Sequence, residues 1–143
     1  MENVLSALHA PTNRTATPRV RVWTGRVLTG LIAAFLLFDA VCKLIPLAFV
    51  LEASARLGFD ATTIRVLGAV LTAATLLHLF PRTQLFGAVL VTTYLGGATA
   101  THVLSHTPFW FPVAMGVLLW LAYYLRDDGL RAFLSTPSST LRA

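Results

Sequence analysis

One cysteine in 143 residues, Cys42, leaves the chain unable to close a disulfide on itself, and a dithiol electron relay within one chain is excluded for the same reason. Acidic side chains are scarce too, six in all, and no paired-carboxylate motif, Gly-rich phosphate loop or nucleophile elbow accompanies them. Charged residues of either sign make up 12% of the chain, about half the share of an ordinary soluble domain. Residues 1–18 also lack an uninterrupted apolar stretch of the kind a secretory signal needs, so the first apolar span is expected to be retained as a helix.

What the chain has in abundance is hydrophobic surface, 56% of its residues. Three windows, 27–44, 85–104 and 109–125, are long enough to cross about 30 Å of hydrocarbon. A fourth, 62–80, joins them once Arg65 snorkels to the interface. The expected architecture is all-α: an integral membrane four-helix bundle over residues 23–134, with a flexible cytoplasmic segment at 1–22 and a flexible tail at 135–143. Short connections make spans two and three, and three and four, antiparallel neighbours. Gly68 and Ala74 on span two, with Gly87, Gly96 and Gly97 on span three, offer small surfaces for close helix approach.

The formal net charge of +5 follows topology and not a nucleic-acid face. Arg14, Arg19, Arg21 and Arg26 precede span one, Arg82 lies between spans two and three, and Arg126, Arg131 and Arg142 follow span four. The other two connections carry little positive charge, which predicts a bacterial inner-membrane protein, multi-pass, with both termini cytoplasmic. Trp23, Tyr123 and Tyr124 are expected as anchors at the inner interface and Trp110 at the outer one.

Between spans one and two, residues 46–59 are too short and polar to cross. Leu47, Val50, Leu51, Ser54 and Leu57 recur at helical spacing, with Glu52 and Arg56 paired on another face. The segment reads as a short amphipathic helix at the outer interface, begun by Pro46 and stopped by Gly58, or else as a loop covering the bundle.

The stretch FDAVCKLIP sets Asp39 and Lys43 one turn apart near the end of span one. Each would cost roughly 2.5–3.5 kcal/mol facing lipid, so both are expected to face the interior and pair. By depth along the spans, His102, Tyr94, Thr101 and Arg65 belong to the same outer half, roofed by Glu52 and Arg56. Together these residues outline a pocket for a small lipophilic ligand, with Asp39, Lys43 and His102 as the groups for acid/base work on it. The alternative is a purely structural pair that fixes helix register. No metal site is expected: His102 and His106 have helical ligand spacing, but Pro108 and the short loop tell against a helical His106. His78 lies too far toward the other side to share a haem with His102, and Cys42 reads as an inert core thiol.

The segments FDAVCKLI, LEASARLGF, TYLGGATATHV and FPVAMGVLLWLAYYLRDDGLRAFL, with the Leu-Phe-Pro-Arg-Thr turn, resemble the DoxX-like family of small bacterial four-helix membrane proteins over residues 24–134. The resemblance implies a four-span fold. Relatives in the wider group are associated with thiosulfate:quinone oxidoreductase, a mycobacterial membrane redox complex and an animal receptor-assembly chaperone. The functional expectation is therefore an inner-membrane protein whose outer-half pocket takes a quinone-like or isoprenoid molecule, without an intrinsic cofactor. Two others stand beside it: a subunit of a membrane oxidoreductase complex whose redox centres sit on a partner, and an assembly scaffold with no ligand. Whether the chain is an enzyme is left open, as is homo-oligomerisation.

Overall fold

The computed structural model describes residues 19–45 and 47–135. Of the ends expected as flexible at 1–22 and 135–143, residues 1–18 and 136–143 lie outside the described residues, as does the helix-starting role assigned to Pro46, whereas residues 19–22 and Ser135 are helical. Among those described there are six helices and no strand: α1 (Arg19–Leu44), α2 (Ala48–Arg56), α3 (Ala61–Leu79), α4 (Gln84–Leu104), α5 (Trp110–Arg126) and α6 (Asp128–Ser135). Two of them, α1 and α3, are long and apolar enough to cross a membrane, and α5 is a shorter apolar helix of 17 residues. The amphipathic segment after span one is the helix α2 and not a loop.

Each long helix packs on two others, so that α1, α3, α4 and α5 close a ring: α1 on α3 and α5, α4 on α3 and α5. Small and branched residues fill the centre, chiefly Leu36, Ala40, Leu71, Val91, Met115 and Leu119. Leu, Val and Phe side chains instead cover much of the outside, among them Leu31, Phe38, Val66, Phe86, Val117 and Leu121. A monomer in water rarely leaves so much contiguous apolar surface uncovered.

The threonines, inside and outside the bundle alike, fit these apolar surroundings. Thr24, Thr29, Thr72, Thr75, Thr92, Thr93, Thr99 and Thr101 each donate their hydroxyl to the carbonyl one turn back, at 2.8–3.0 Å. Their polarity is absorbed within the helix that carries them. Thr92 also accepts from Trp120 Nε1 at 2.9 Å, which ties α4 to α5.

Helix ends follow local chemistry. Asp60 caps α3 by accepting from the Thr63 backbone at 2.9 Å, and the Thr63 hydroxyl and N–H together hold its carboxyl below the ordinary range. Phe80, ahead of Pro81, is extended, as the ring of a following proline requires, and α3 stops there. At the turn, the Thr83 hydroxyl donates to the Leu77 carbonyl at 2.8 Å, while His78 Nδ1 donates to the Gln84 carbonyl at 3.1 Å. His78 is thus a buried packing histidine at the far end from His102.

Glycines separate into two kinds. A methyl group on Gly87 would fall 2.1 Å from His78 N, one on Gly68 2.9 Å from Lys43 Cβ, and one on Gly25 3.0 Å from the Ala122 carbonyl, so these three are where backbones touch. Gly96 and Gly97, expected to serve the same purpose, have nothing within 4 Å of such a methyl and are exposed. Gly97 instead borders a cavity beneath α2.

Of the four aromatic anchors, Trp23, Trp110 and Tyr124 are exposed, but Tyr123 is only 8% exposed. It sits edge-on to Trp120 at 6.0 Å with the Arg126 guanidinium 5.7 Å from its ring, because the turn from Tyr123 to Tyr124 rotates one ring inward and the next out.

Candidate functional site

Antiparallel packing brings the C-terminal ends of α1 and α4 beside the N-terminal ends of α3 and α5, and α2 packs on α3 at this end. Beneath α2 is a cavity of about 530 Å³. Its lower walls are apolar, made by Phe35 and Leu36 of α1, Ile64 of α3, and Phe111 and Met115 of α5. The inner face of α2 and the turn after it close the top with Phe49, Val50, Ala53, Ser54, Leu57 and Phe59. Besides Ser54 of α2, the polar lining comes from two helices: Asp39 and Lys43 from α1, and Tyr94, Thr101 and His102 from α4.

Lys43, the sole lysine of the chain, donates Nζ to Asp39 Oδ1 at 2.5 Å. The pair is held from behind by Gly68, where the α3 backbone comes up against Lys43 Cβ and the Ala40 carbonyl. A larger residue at 68 would push α3 away from α1 beside the pair. The side chains of Lys43 and Asp39 remain 19% and 36% exposed, toward the cavity they line, and Asp39 Oδ2 makes no hydrogen bond among the described residues. Tyr94 lies close enough to Asp39 to feel its charge, and its hydroxyl is likewise uncommitted among the described residues.

His102 is oriented by the way α4 ends. Ser105 is the C-cap and His106 adopts a left-handed conformation (φ 54°). The N–H of His106 reaches the Val103 carbonyl and that of Thr107 the His102 carbonyl, at 3.1 and 2.9 Å, the paired bonds of a Schellman termination. That turn carries the Thr107 hydroxyl back to the histidine, where it donates to the His102 carbonyl at 3.2 Å and lies 2.8 Å from Nδ1. With the threonine proton on the carbonyl, Nδ1 is the donor and Nε2 carries the lone pair; with that proton turned to Nδ1, Nε2 carries the hydrogen instead. His106 is outside the helix and exposed, so the helical spacing of His102 and His106 does not survive. Among the described residues no cluster of three His, Cys, Asp or Glu could hold a metal ion.

Not every residue assigned by depth reaches the site. Arg65, Glu52 and Arg56 are exposed and none lines the cavity; Glu52 and Arg56 form no ion pair among the described residues. On α3 the inward stripe runs through Ile64, Gly68, Leu71, Thr75 and His78, so Arg65 points about 100° away. On α2 the inward residue is Ser54, and Glu52 and Arg56 flank it on the outer side. Sequence reasoning missed Thr107 as the partner of His102. The signal was present as a helix stop two residues ahead of Pro108, but the left-handed residue there is a histidine where glycine is usual. Cys42 is buried and free.

A family model described as the DoxX-like family matches residues 27–123, which include all four long helices in whole or part and the polar residues of the cavity. No match is found among curated proteins or among solved structures. The extent of the family match, with the apolar outer faces of the helices, makes this a membrane protein in contact with lipid.

Proposed function

The chain belongs to the DoxX-like family, and from that premise we propose a multi-pass inner-membrane protein whose α2-covered cavity binds a small lipophilic molecule with a polar head, quinone-like or isoprenoid in character. In this reading α1, α3, α4 and α5 are the four spans. The 17 residues of α5 rise about 26 Å, within the reach of a spanning helix. Arginines gather at the opposite end to α2, so that end is cytoplasmic, both termini with it, and α2 lies at the outer interface. A reporter fused at residue 83 should read cytoplasmic, and an extracytoplasmic signal there would invert the topology.

The observation that carries the ligand reading is the cavity: a space of about 530 Å³, within the usual range for small-molecule sites, apolar below and polar along one side. An apolar body would pack on Phe35, Phe111 and Met115. Its head would meet three uncommitted groups, Asp39 Oδ2 as acceptor, the Tyr94 hydroxyl as donor, and His102 Nε2, which accepts when Nδ1 carries the hydrogen. A hydroxyl on such a head could pass its proton to Nε2, with Thr107 steadying the ring and Lys43 holding the Asp39 carboxylate in place. That is the extent of the acid/base chemistry these residues support.

The test is extraction of the purified protein followed by mass spectrometry of retained small molecules. Wild type should carry a defined lipophilic compound, and His102→Ala and Asp39→Asn should retain it at about a tenth of that level or less. Folded, empty wild-type protein would overturn the ligand reading in favour of a partner-dependent role.

A further inference from the structure

The opposite end of the bundle holds an arrangement that the cavity does not explain. Arg126, the last residue of α5, has Nε and Nη2 buried and without a hydrogen-bond partner among the described residues. Its guanidinium stacks on Tyr123 instead; among the described residues no carboxylate comes within ion-pair distance of it, and Asp127 acts on it only as a nearby opposite charge. Arg21, on α1, gives Nη2 to Asp128 at 3.0 Å but has a buried Nε without a partner among the described residues. Arg26 is near enough to add a like charge to Arg126. The carboxylates of this corner are already occupied. Asp128 pairs with Arg21 and Arg131, and Asp127 accepts from the Leu130 N–H at 2.7 Å to start α6. Buried guanidinium N–H groups left without an acceptor are costly, and the fork they form matches phosphate oxygens.

The surroundings indicate what carries the phosphate. Phe133 and Leu134 of α6 are exposed, and so are Val20 and Trp23 on α1. A helix of this kind, apolar on one face with Arg131 on the other, lies along a membrane surface. We propose that Arg21, Arg26 and Arg126 form a binding site for the phosphate headgroup of an anionic phospholipid of the inner leaflet, with α6 lying beside it in the interface. The assignment takes its leaflet from the topology proposed above but owes nothing to the cavity.

The test is native mass spectrometry of the full chain released from micelles containing equal amounts of phosphatidylglycerol and phosphatidylcholine. Phosphatidylglycerol should be retained preferentially, and Arg126→Gln should lower that retention about fivefold, the worth of one arginine at a charged surface. Arg126→Lys, which keeps the charge and loses the fork, should recover only part of it. Arg82→Gln, at an exposed turn on the same end and with the same change in net charge, should leave retention unaltered. Equal retention of the two lipids would overturn the proposal, as would equal losses in Arg126→Gln and Arg82→Gln, which would mean a diffuse field and no site. Displacement of the lipid by a few millimolar inorganic phosphate that itself stays bound would overturn it in favour of a free-anion site. Because the lipid is read in micelles, failure here leaves the cavity and its small-molecule extraction untouched.

Discussion

Gly87→Ala should be the most damaging single-methyl change in the protein. The added carbon would stand 2.1 Å from His78 N and 2.5 Å from both His78 Cα and the Leu77 carbonyl carbon, all backbone atoms of α3. Nothing there can turn aside, so α3 and α4 would have to separate at the turn that joins them, at a cost of about 3 kcal/mol or more. The control is Gly30→Ala, where the same methyl meets nothing within 4 Å and helix propensity favours the change. Thermal midpoint and monodispersity in detergent decide the matter: equal stability of the two variants would show that α3 and α4 do not touch as described. The effect should also be felt at a distance. Gly87, Val91, Leu95, Ala98 and His102 fall along one stripe of α4, so rotating the helix at its start turns the histidine out of the cavity.

The second large effect concerns Asp39 and Lys43. Neutralising either one alone, as Asp39→Asn or Lys43→Met, leaves the other half-buried without its counter-charge and should cost about 2 kcal/mol, less than a fully buried pair because Asp39 keeps a third of its side-chain surface. The double variant should be more stable than either single. A double-mutant cycle on equilibrium unfolding in micelles measures this, and strictly additive losses would mean that the pair contributes no coupling. The cycle also bears on the choice left open by the sequence. If the double variant folds as well as wild type yet carries no small molecule, the charges are kept for the ligand and not for register.

These two cases mark what could and could not be read before the structure was known. Helix positions and the Asp39–Lys43 pair follow from local periodicities of three to four residues, which need no tertiary information, whereas the same periodicity in 46–59 did not decide between the helix α2 and a loop. Depth along a span was legible as well, since it needs only a count from the helix end, and it brought Asp39, Lys43, Tyr94, Thr101 and His102 together around one cavity. Azimuth was not. Arg65 enters at the right level but on the wrong side of α3, Tyr123 turns inward where an interfacial anchor was expected, and Gly96 and Gly97 meet no neighbouring helix, Gly97 bordering the cavity, while Gly87 makes the close contact. In a helix apolar on nearly every side, composition does not distinguish the face toward neighbours from the face toward lipid. Only the packed partners decide it.

One property of α2 extends beyond its shape. Nine residues are too few to hold a helix unaided, Leu47 supplies no side-chain cap, and Ser54 is its only buried residue. The winding of α2 therefore depends on what lies beneath Phe49, Val50 and Ala53. Filling that space and forming that helix become linked equilibria: a guest that presses on these side chains increases the fraction of time they are wound, and a substitution that favours winding tightens the guest. Amide exchange across 48–56 would then report occupancy, slowing in proportion to how much of the void is filled.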